Sequence, residues 1–174
     1  TAPLGGSAYT TRMTALLDSE GNATGMDLKI GSNGSWNWNN ANANLSVLGD
    51  YLFTNVRSDF TLSGLVAGGS YDLAFLGQGD RLDQGPKITI GSMEKTIDSV
   101  DLNAIEWTEY ENYVLFRDVE ADDSGEITGT YGQSDNGVAV GLGGMQIEWI
   151  PEPATLGLML GVFSLAAAVA RRRV

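Results

Sequence analysis

The chain has 174 residues, enough to bury an apolar core without disulfide or metal support. It contains neither His nor Cys, which excludes a Ser-His-Asp triad, a cysteine nucleophile and zinc sites built on Cys or His. Residues 1–150 hold 7 basic and 21 acidic side chains, whereas residues 151–174 hold three arginines and one glutamate. Because the first segment is so acidic, it repels nucleic acid, and we expect no nucleic-acid partner.

The first thirty residues contain an acidic turn and one clear strand. Residues 10–17 show no clear period and fit either a strand or a short helix. Asp18, Glu20 and Asn22 alternate along a turn, and their oxygen atoms suit a calcium ion as the one candidate cofactor. A solvated turn without metal explains the same residues, so both interpretations stay open. Residues 26–30 alternate between apolar and polar side chains and predict a strand.

A polar segment rich in Asn, Gly and Ser follows at residues 31–44 and is predicted to be a loop. It holds Trp36 and Trp38, whose side chains share a face if the segment is extended. Aromatic faces flanked by amide groups suit a glycan, because the ring can stack on a sugar while the amides bind its hydroxyls. The alternative is that one or both tryptophans plug the end of the fold.

Short alternating runs fill most of the remaining chain up to residue 150. Two pairs of runs flank Gly-containing links and predict β-hairpins, namely residues 60–65 with 71–75 and residues 87–90 with 93–97. Further strands are predicted at residues 51–53, 113–117, 126–131 and 145–150. About eight or nine short strands without a long helical period predict an all-β domain over residues 1–150, a β-sandwich or jelly roll.

The order of several short motifs resembles that of galactose-binding-like jelly-roll domains from bacterial surface proteins. The matching stretches are Thr61–Leu65, Gly69–Leu73, Gly125–Gly129 and Gly144–Ile147. The resemblance implies a jelly-roll ectodomain. We expect this domain to bind glycan or to lie within polysaccharide.

One acidic cluster raises the alternative of an enzyme. Carboxylates beside an aromatic ring can act as acid and base on a glycoside, which would make the domain a carboxylate-dependent glycan-active enzyme. In a domain with 21 acidic side chains such clusters also arise by chance, so we expect no catalytic residues and no enzymatic activity. The cluster is Glu106, Glu109 and Glu111 around Trp107 and Tyr110. Asp122, Asp123 and Glu126 form a second acidic turn, which a solvated turn explains like the first.

The segment after residue 150 differs from the rest in composition. Residues 154–170 are 17 uncharged, mostly apolar residues that would span about 26 Å as a helix. That length lies at the short end of what crosses a bilayer, and we predict a transmembrane helix. The arginines that follow favour the cytoplasmic side and leave residues 1–150 outside; they are Arg171, Arg172 and Arg173. A buried core helix and a permanent, unprocessed anchor are the alternatives.

Pro151, Glu152 and Pro153 directly precede the apolar run. Both prolines disfavour helix, so this peptide should be extended and accessible to a processing enzyme. The Pro-Glu-Pro triplet, the Gly/Leu/Ala-rich span and the arginine cluster resemble, over residues 151–174, the PEP-CTERM sorting signal.

The PEP-CTERM resemblance implies that the triplet is recognised by an exosortase, a membrane enzyme thought to cut near it. It also implies an exported precursor held in the inner membrane of a Gram-negative bacterium. The mature protein would then reach the cell surface or extracellular matrix, where exopolysaccharide is a further expected partner. We expect any secretory signal peptide to lie upstream of Thr1, because no charged and apolar leader follows that residue.

Overall fold

The computed structural model describes residues 8–37, 50–79, 81–98, 106–132 and 139–151. Within these ranges the chain forms β-strands and no helix, so the all-β prediction is confirmed. The described ranges contain eleven strands, more than the eight or nine expected. They are β1 Tyr9–Met13, β2 Asp27–Ser32, β3 Gly34–Asn37, β4 Asp50–Thr54, β5 Ser58–Ser63, β6 Ser70–Gly77, β7 Lys87–Ile90, β8 Met93–Thr96, β9 Tyr113–Glu120, β10 Ile127–Gly132 and β11 Val140–Ile150.

The strands form two antiparallel sheets that pack face to face. The six-stranded sheet has the order β1-β2-β5-β10-β7-β8, and the five-stranded sheet has the order β3-β4-β11-β6-β9. Phe60 of the first sheet lies 5.2 Å from Phe75 of the second, measured between ring centroids. The apolar core therefore lies between the sheets, as in a β-sandwich.

Strict alternation in the sequence explains which side chains enter this core. Strand β6 buries Tyr71, Leu73 and Phe75, while the residues between them are half-buried on the other face. Strand β5 does the same with Phe60 and Leu62. Because successive side chains of a strand point to opposite faces, each sheet has one core face and one outer face.

A buried hydroxyl joins two strands of the six-stranded sheet that are not neighbours. The Tyr131 hydroxyl in β10 donates a hydrogen bond of 2.7 Å to the Gly31 carbonyl in β2, across the intervening strand β5. Burial raises the pKa of Tyr131, so the hydroxyl keeps its proton and remains a donor. The bond satisfies a polar group that would otherwise be costly inside the core.

One of the two predicted hairpins is wrong. Strands β5 and β6 do not pair, since β5 lies between β2 and β10 in one sheet and β6 lies between β11 and β9 in the other. The link between them therefore crosses from sheet to sheet. Alternation identifies the core face of a strand but not its partner, which explains the error. The other hairpin, β7 with β8 around Gly91-Ser92, is confirmed.

The structure resolves or corrects three local predictions. Residues 9–13 form strand β1, which resolves the ambiguity between strand and helix. Residues 34–37, predicted as loop, form strand β3 on the edge of the five-stranded sheet. Strand β11 begins five residues before the predicted strand, and its register with β6 shifts between Leu142 and Gly144 as a β-bulge.

The predicted transmembrane helix over residues 154–170 lies outside the described residues. The described part of the chain includes no helix with the length and apolarity that a membrane crossing requires.

Candidate functional site

The predicted calcium turn is held together by its own hydrogen bonds. Asp18 Oδ1 accepts the backbone N–H of Glu20 at 2.9 Å and that of Asn22 at 2.8 Å. The Asn22 side-chain amide also donates to the Asp18 carboxylate, at 3.1 Å to Oδ2. The Asn22 backbone bond is the main reason that the pKa of Asp18 is lowered. The structure brings Asp18 and Asn22 together as a capped, exposed turn, and calcium binding stays a prediction.

The second acidic turn has the same construction. Asp122 Oδ1 accepts the Ser124 hydroxyl at 2.7 Å, and it also accepts the backbone N–H groups of Ser124 and Glu126, both at 2.9 Å. The Ser124 hydroxyl bond is the main cause of the lowered pKa of Asp122. Among the described residues no group of three or more His, Cys, Asp or Glu side chains could hold a metal ion. The visible role of Asp122 is to shape the turn into β10.

Of the three glutamates near Trp107, Glu109 forms an ion pair with Lys95. Lys95 Nζ donates to Glu109 Oε1 at 3.1 Å and to the Leu115 carbonyl at 2.6 Å. It also lies 5.2 Å from the centre of the Tyr110 ring. Burial acts to lower the pKa of Lys95, but the hydrogen bonds to Glu109 and Tyr110 outweigh it and leave the pKa raised. Glu109 is thus ion-paired, while Glu106 and Glu111 are exposed.

Lys95 is a structural residue that the sequence did not single out. It belongs to β8, the edge of the six-stranded sheet, and its partners lie in or beside β9, the edge of the other sheet. The ammonium group therefore connects the two sheets at one side of the sandwich. No local pattern could have identified this contact, since Lys95 and Leu115 are 20 residues apart.

Trp36 lies in strand β3 and is a surface residue. Its side chain is 53% exposed, so Trp36 does not plug the end of the sandwich. It pairs in register with Tyr51 of β4, and both belong to the outer face because the adjacent Leu52 packs against the core. Trp38 lies outside the described residues. An exposed indole on a fixed strand can offer its face to a ligand without rearrangement of the backbone.

The predicted sorting triplet begins directly after the last described strand. Strand β11 runs to Ile150, and the next residue, Pro151, is exposed. Glu152 and Pro153 lie outside the described residues, as do the arginines 171–173. Their roles as recognition residues and stop-transfer cluster stay predictions.

A separate apolar cleft of about 360 Å³ opens between the sheets. Its walls come from β1 and β2 on one side and from β4 and β11 on the other, and they include Met13, Leu28, Leu52, Met145 and Ile147. With few polar groups it suits an apolar moiety rather than a sugar. None of the residues predicted from the sequence to bind a ligand lines this cleft.

No protein-family model, curated protein or solved structure matches this chain.

Proposed function

We propose that this chain is an exported, non-catalytic surface or matrix protein, delivered by its C-terminal segment and associated with glycan through its β-sandwich. The observation that carries the proposal is the exposed start of the sorting triplet at Pro151, one residue after strand β11. Pro151 is thus close to the folded domain and exposed to solvent. A processing enzyme needs such access.

The composition of the remaining tail supports delivery to a membrane. An uncharged segment over residues 154–170 followed by three arginines is the pattern of a short span with a cytoplasmic end. The PEP-CTERM resemblance adds an exosortase as the partner that recognises Pro151, Glu152 and Pro153. The resemblance also implies a precursor in the inner membrane of a Gram-negative bacterium and a mature protein on the cell surface or in the matrix.

Trp36 supports glycan association. A pyranose ring has an apolar face of C–H groups and a rim of hydroxyls, and a flat indole that is half exposed matches that apolar face. The acidic charge of residues 1–150 also favours an uncharged polymer over an anionic one. The jelly-roll resemblance stays a prediction, because sheet order alone is common to several kinds of sandwich.

The enzyme alternative has weaker support. Glu109, the most enclosed of its three glutamates, is already paired with Lys95 and accepts the Leu115 amide at 3.4 Å. A glycosidase needs two carboxyl groups that face one substrate bond. Turnover of a polysaccharide that disappears in Glu106→Gln or Glu111→Gln would restore this alternative.

The sorting proposal is tested by the mass of the mature C-terminus. The full chain is produced in an exosortase-containing Gram-negative host, and the surface fraction is analysed by mass spectrometry. We expect a new C-terminus near residues 151–153 and loss of processing in Glu152→Ala. The control is Glu148→Ala, which removes an exposed glutamate from β11. A surface protein that still ends at Val174, or equal processing in both variants, contradicts the proposal.

A further inference from the structure

A row of cross-strand neighbours starts at Trp36 on the outer face of the five-stranded sheet. Trp36 in β3 pairs with Tyr51 in β4. The next residue of β4, Leu52, pairs with Leu142 of β11, so Tyr51 lies beside the bulge that ends at Gly144. The row thus crosses β3, β4 and β11, with a shift of register at the bulge.

The same row continues to the opposite edge of the sheet. Gly144 pairs with Leu76 in β6, and Leu76 pairs with Tyr113 in β9. These residues belong to the outer face, because the neighbouring Phe75 is buried in the core. The Tyr113 ring meets Trp107 edge-on, with 6.3 Å between ring centroids. We call this set the aromatic row: Trp36, Tyr51, Gly144, Leu76, Tyr113 and Trp107.

The residues at the two ends of the aromatic row are more exposed to solvent than the residues in its middle. Trp36 is 53% exposed and Trp107 is 41% exposed, whereas the residues between them are buried or half-buried. Gly144 contributes no side chain at the centre. From β3 to β9 the row crosses four strand spacings, which is about 19 Å. That distance suits an extended polymer chain and exceeds the length of a single sugar.

The surroundings of the aromatic row favour an uncharged ligand by charge complementarity. Gln146 follows Gly144 on the same face, is exposed, and offers an amide to hydroxyl groups. Two basic side chains in or beside β9 are engaged, Arg117 with Asp72 at 3.2 Å and Lys95 with Glu109 at 3.1 Å. No residue of the row is charged, and the acidic domain repels polyanions.

Resting on the proposed glycan association, we propose that the ligand is a neutral, unbranched polysaccharide chain that lies along the aromatic row. Trp36 and Trp107 each hold one sugar ring at the two ends, and the chain passes over Gly144 between them. A branch or a carboxylate on the central sugars would meet Leu76 or the acidic field of the domain.

The test measures binding of the full chain, kept in a detergent without sugar groups, by biolayer interferometry. The neutral probes all have unbranched main chains and are hydroxyethylcellulose, mixed-linkage β-glucan and pullulan; carboxymethylcellulose is the anionic probe on the same backbone as the first. We expect at least one neutral probe to bind and carboxymethylcellulose to bind about tenfold more weakly at low salt. Trp36→Ala and Trp107→Ala should each weaken binding about tenfold, since each removes one stacking surface.

Trp149→Ala is the matched control for these variants. Trp149 is 48% exposed but pairs with the buried Tyr71, so it lies on the core side of β11 and away from the aromatic row. We expect Trp149→Ala to bind the polysaccharide probes with the affinity of the parent protein. Thermal melts of all variants establish that each is folded. Cellohexaose should bind at least tenfold more tightly than cellobiose, which is too short to reach both ends.

Each result has a separate meaning. Binding that resists both Trp36→Ala and Trp107→Ala overturns the aromatic row and leaves glycan association standing. Tighter binding of carboxymethylcellulose than of hydroxyethylcellulose overturns the neutral ligand. No binding of any neutral probe overturns this inference together with glycan association, while the sorting proposal is decided independently by the mature C-terminal mass.

Discussion

Single aspartates, one in a turn and one at the start of a strand, make a pH-dependent contribution to stability. In the folded protein the pKa of Asp122 is lowered, chiefly by the Ser124 hydroxyl, and that of Asp27 is lowered chiefly by Arg12 at 2.9 Å. A carboxyl group with a lowered folded pKa stabilises the fold above its unfolded value of about 3.9. The contribution disappears as the pH falls through the folded pKa, because protonation then occurs in both states.

This behaviour predicts the effect of Asp122→Asn. The variant keeps the side-chain shape but loses the charge that strengthens three hydrogen bonds, so its melting temperature should fall by a few degrees at about pH 7. As the pH falls from about 4 toward about 2, the difference between variant and parent should shrink, since the parent carboxyl becomes protonated once the pH passes its folded pKa. Thermal unfolding followed by circular dichroism across this range makes the measurement.

The adjacent exposed residue supplies the control for that series. Asp123→Asn changes the net charge by the same amount without touching the turn hydrogen bonds of Asp122. If both variants shift the melting curve equally at every pH, the effect is one of net charge and the assigned role of Asp122 is wrong.

At the scale of whole strands, the sandwich closes differently at its two sides. On one side Lys95 of β8 joins the carbonyl of Leu115 in β9, so the edges of the two sheets are linked by a charged group. On the other side, β1 and β2 stand apart from β4 and β11, and the apolar cleft opens between them. The same two sheets thus present a connected edge and an open edge.

The connected edge leads to a prediction for Lys95→Met. Methionine retains most of the apolar stem but donates no hydrogen bond, so the free energy of unfolding should fall by about 2 kcal/mol at neutral pH. Because the folded pKa of Lys95 is raised, its contribution is present below the unfolded value of about 10.4 and is lost as the pH rises through the folded pKa. Urea unfolding at about pH 7 and at about pH 11 measures both effects.

Lys29→Met is the comparison for this substitution, because Lys29 is an exposed lysine of β2. It should change the unfolding free energy by no more than about 0.5 kcal/mol. If the free energy of unfolding falls equally in the two variants, the contact of Lys95 between β8 and β9 contributes nothing to stability.

At the scale of the molecule, the folded domain and the tail should behave as separable parts. The buried apolar cluster extends from Leu28 to Leu142 and lies between the two sheets. We therefore expect a chain ending at Pro151 to keep the melting temperature of the full chain within about 2 °C. After extraction of membranes with carbonate, the shortened chain should be in the supernatant and the full chain in the pellet. A shortened chain that melts much lower would show that the tail packs on the sandwich.

Strand positions could be predicted from the sequence more reliably than strand partners. Alternation of Tyr71, Leu73 and Phe75 with smaller or polar residues marks β6, because a half-buried strand must alternate. The same alternation marks β5, yet the two strands belong to different sheets. An alternating sequence does not indicate which strand will be its neighbour, since the backbone hydrogen bonds are alike for every partner.

The candidate glycan site could likewise be predicted from the sequence only in part. Trp36 stands out in the sequence through its Asn-rich neighbours, although its segment is a strand and not the predicted loop. In the sequence, Trp107 stands out only as a neighbour of Glu106 and Glu109. The contact of Trp107 with Tyr113, and the position of both at the far end of the row from Trp36, depend on pairings between β3, β4, β11, β6 and β9. These pairings join residues that are 15 positions apart for Trp36 and Tyr51 and 90 positions apart for Leu52 and Leu142.

By itself the sequence determined the all-β class, the alternation that fills the core, the acidic charge and the contrast between residues 1–150 and the apolar tail. These are properties of composition and of short periods, which each segment carries without reference to its partners. Only the tertiary structure decided that Trp36 is exposed, that Lys95 ties two edges together and that the aromatic row crosses one face. These depend on the order of strands within the sheets, which long-range pairing sets.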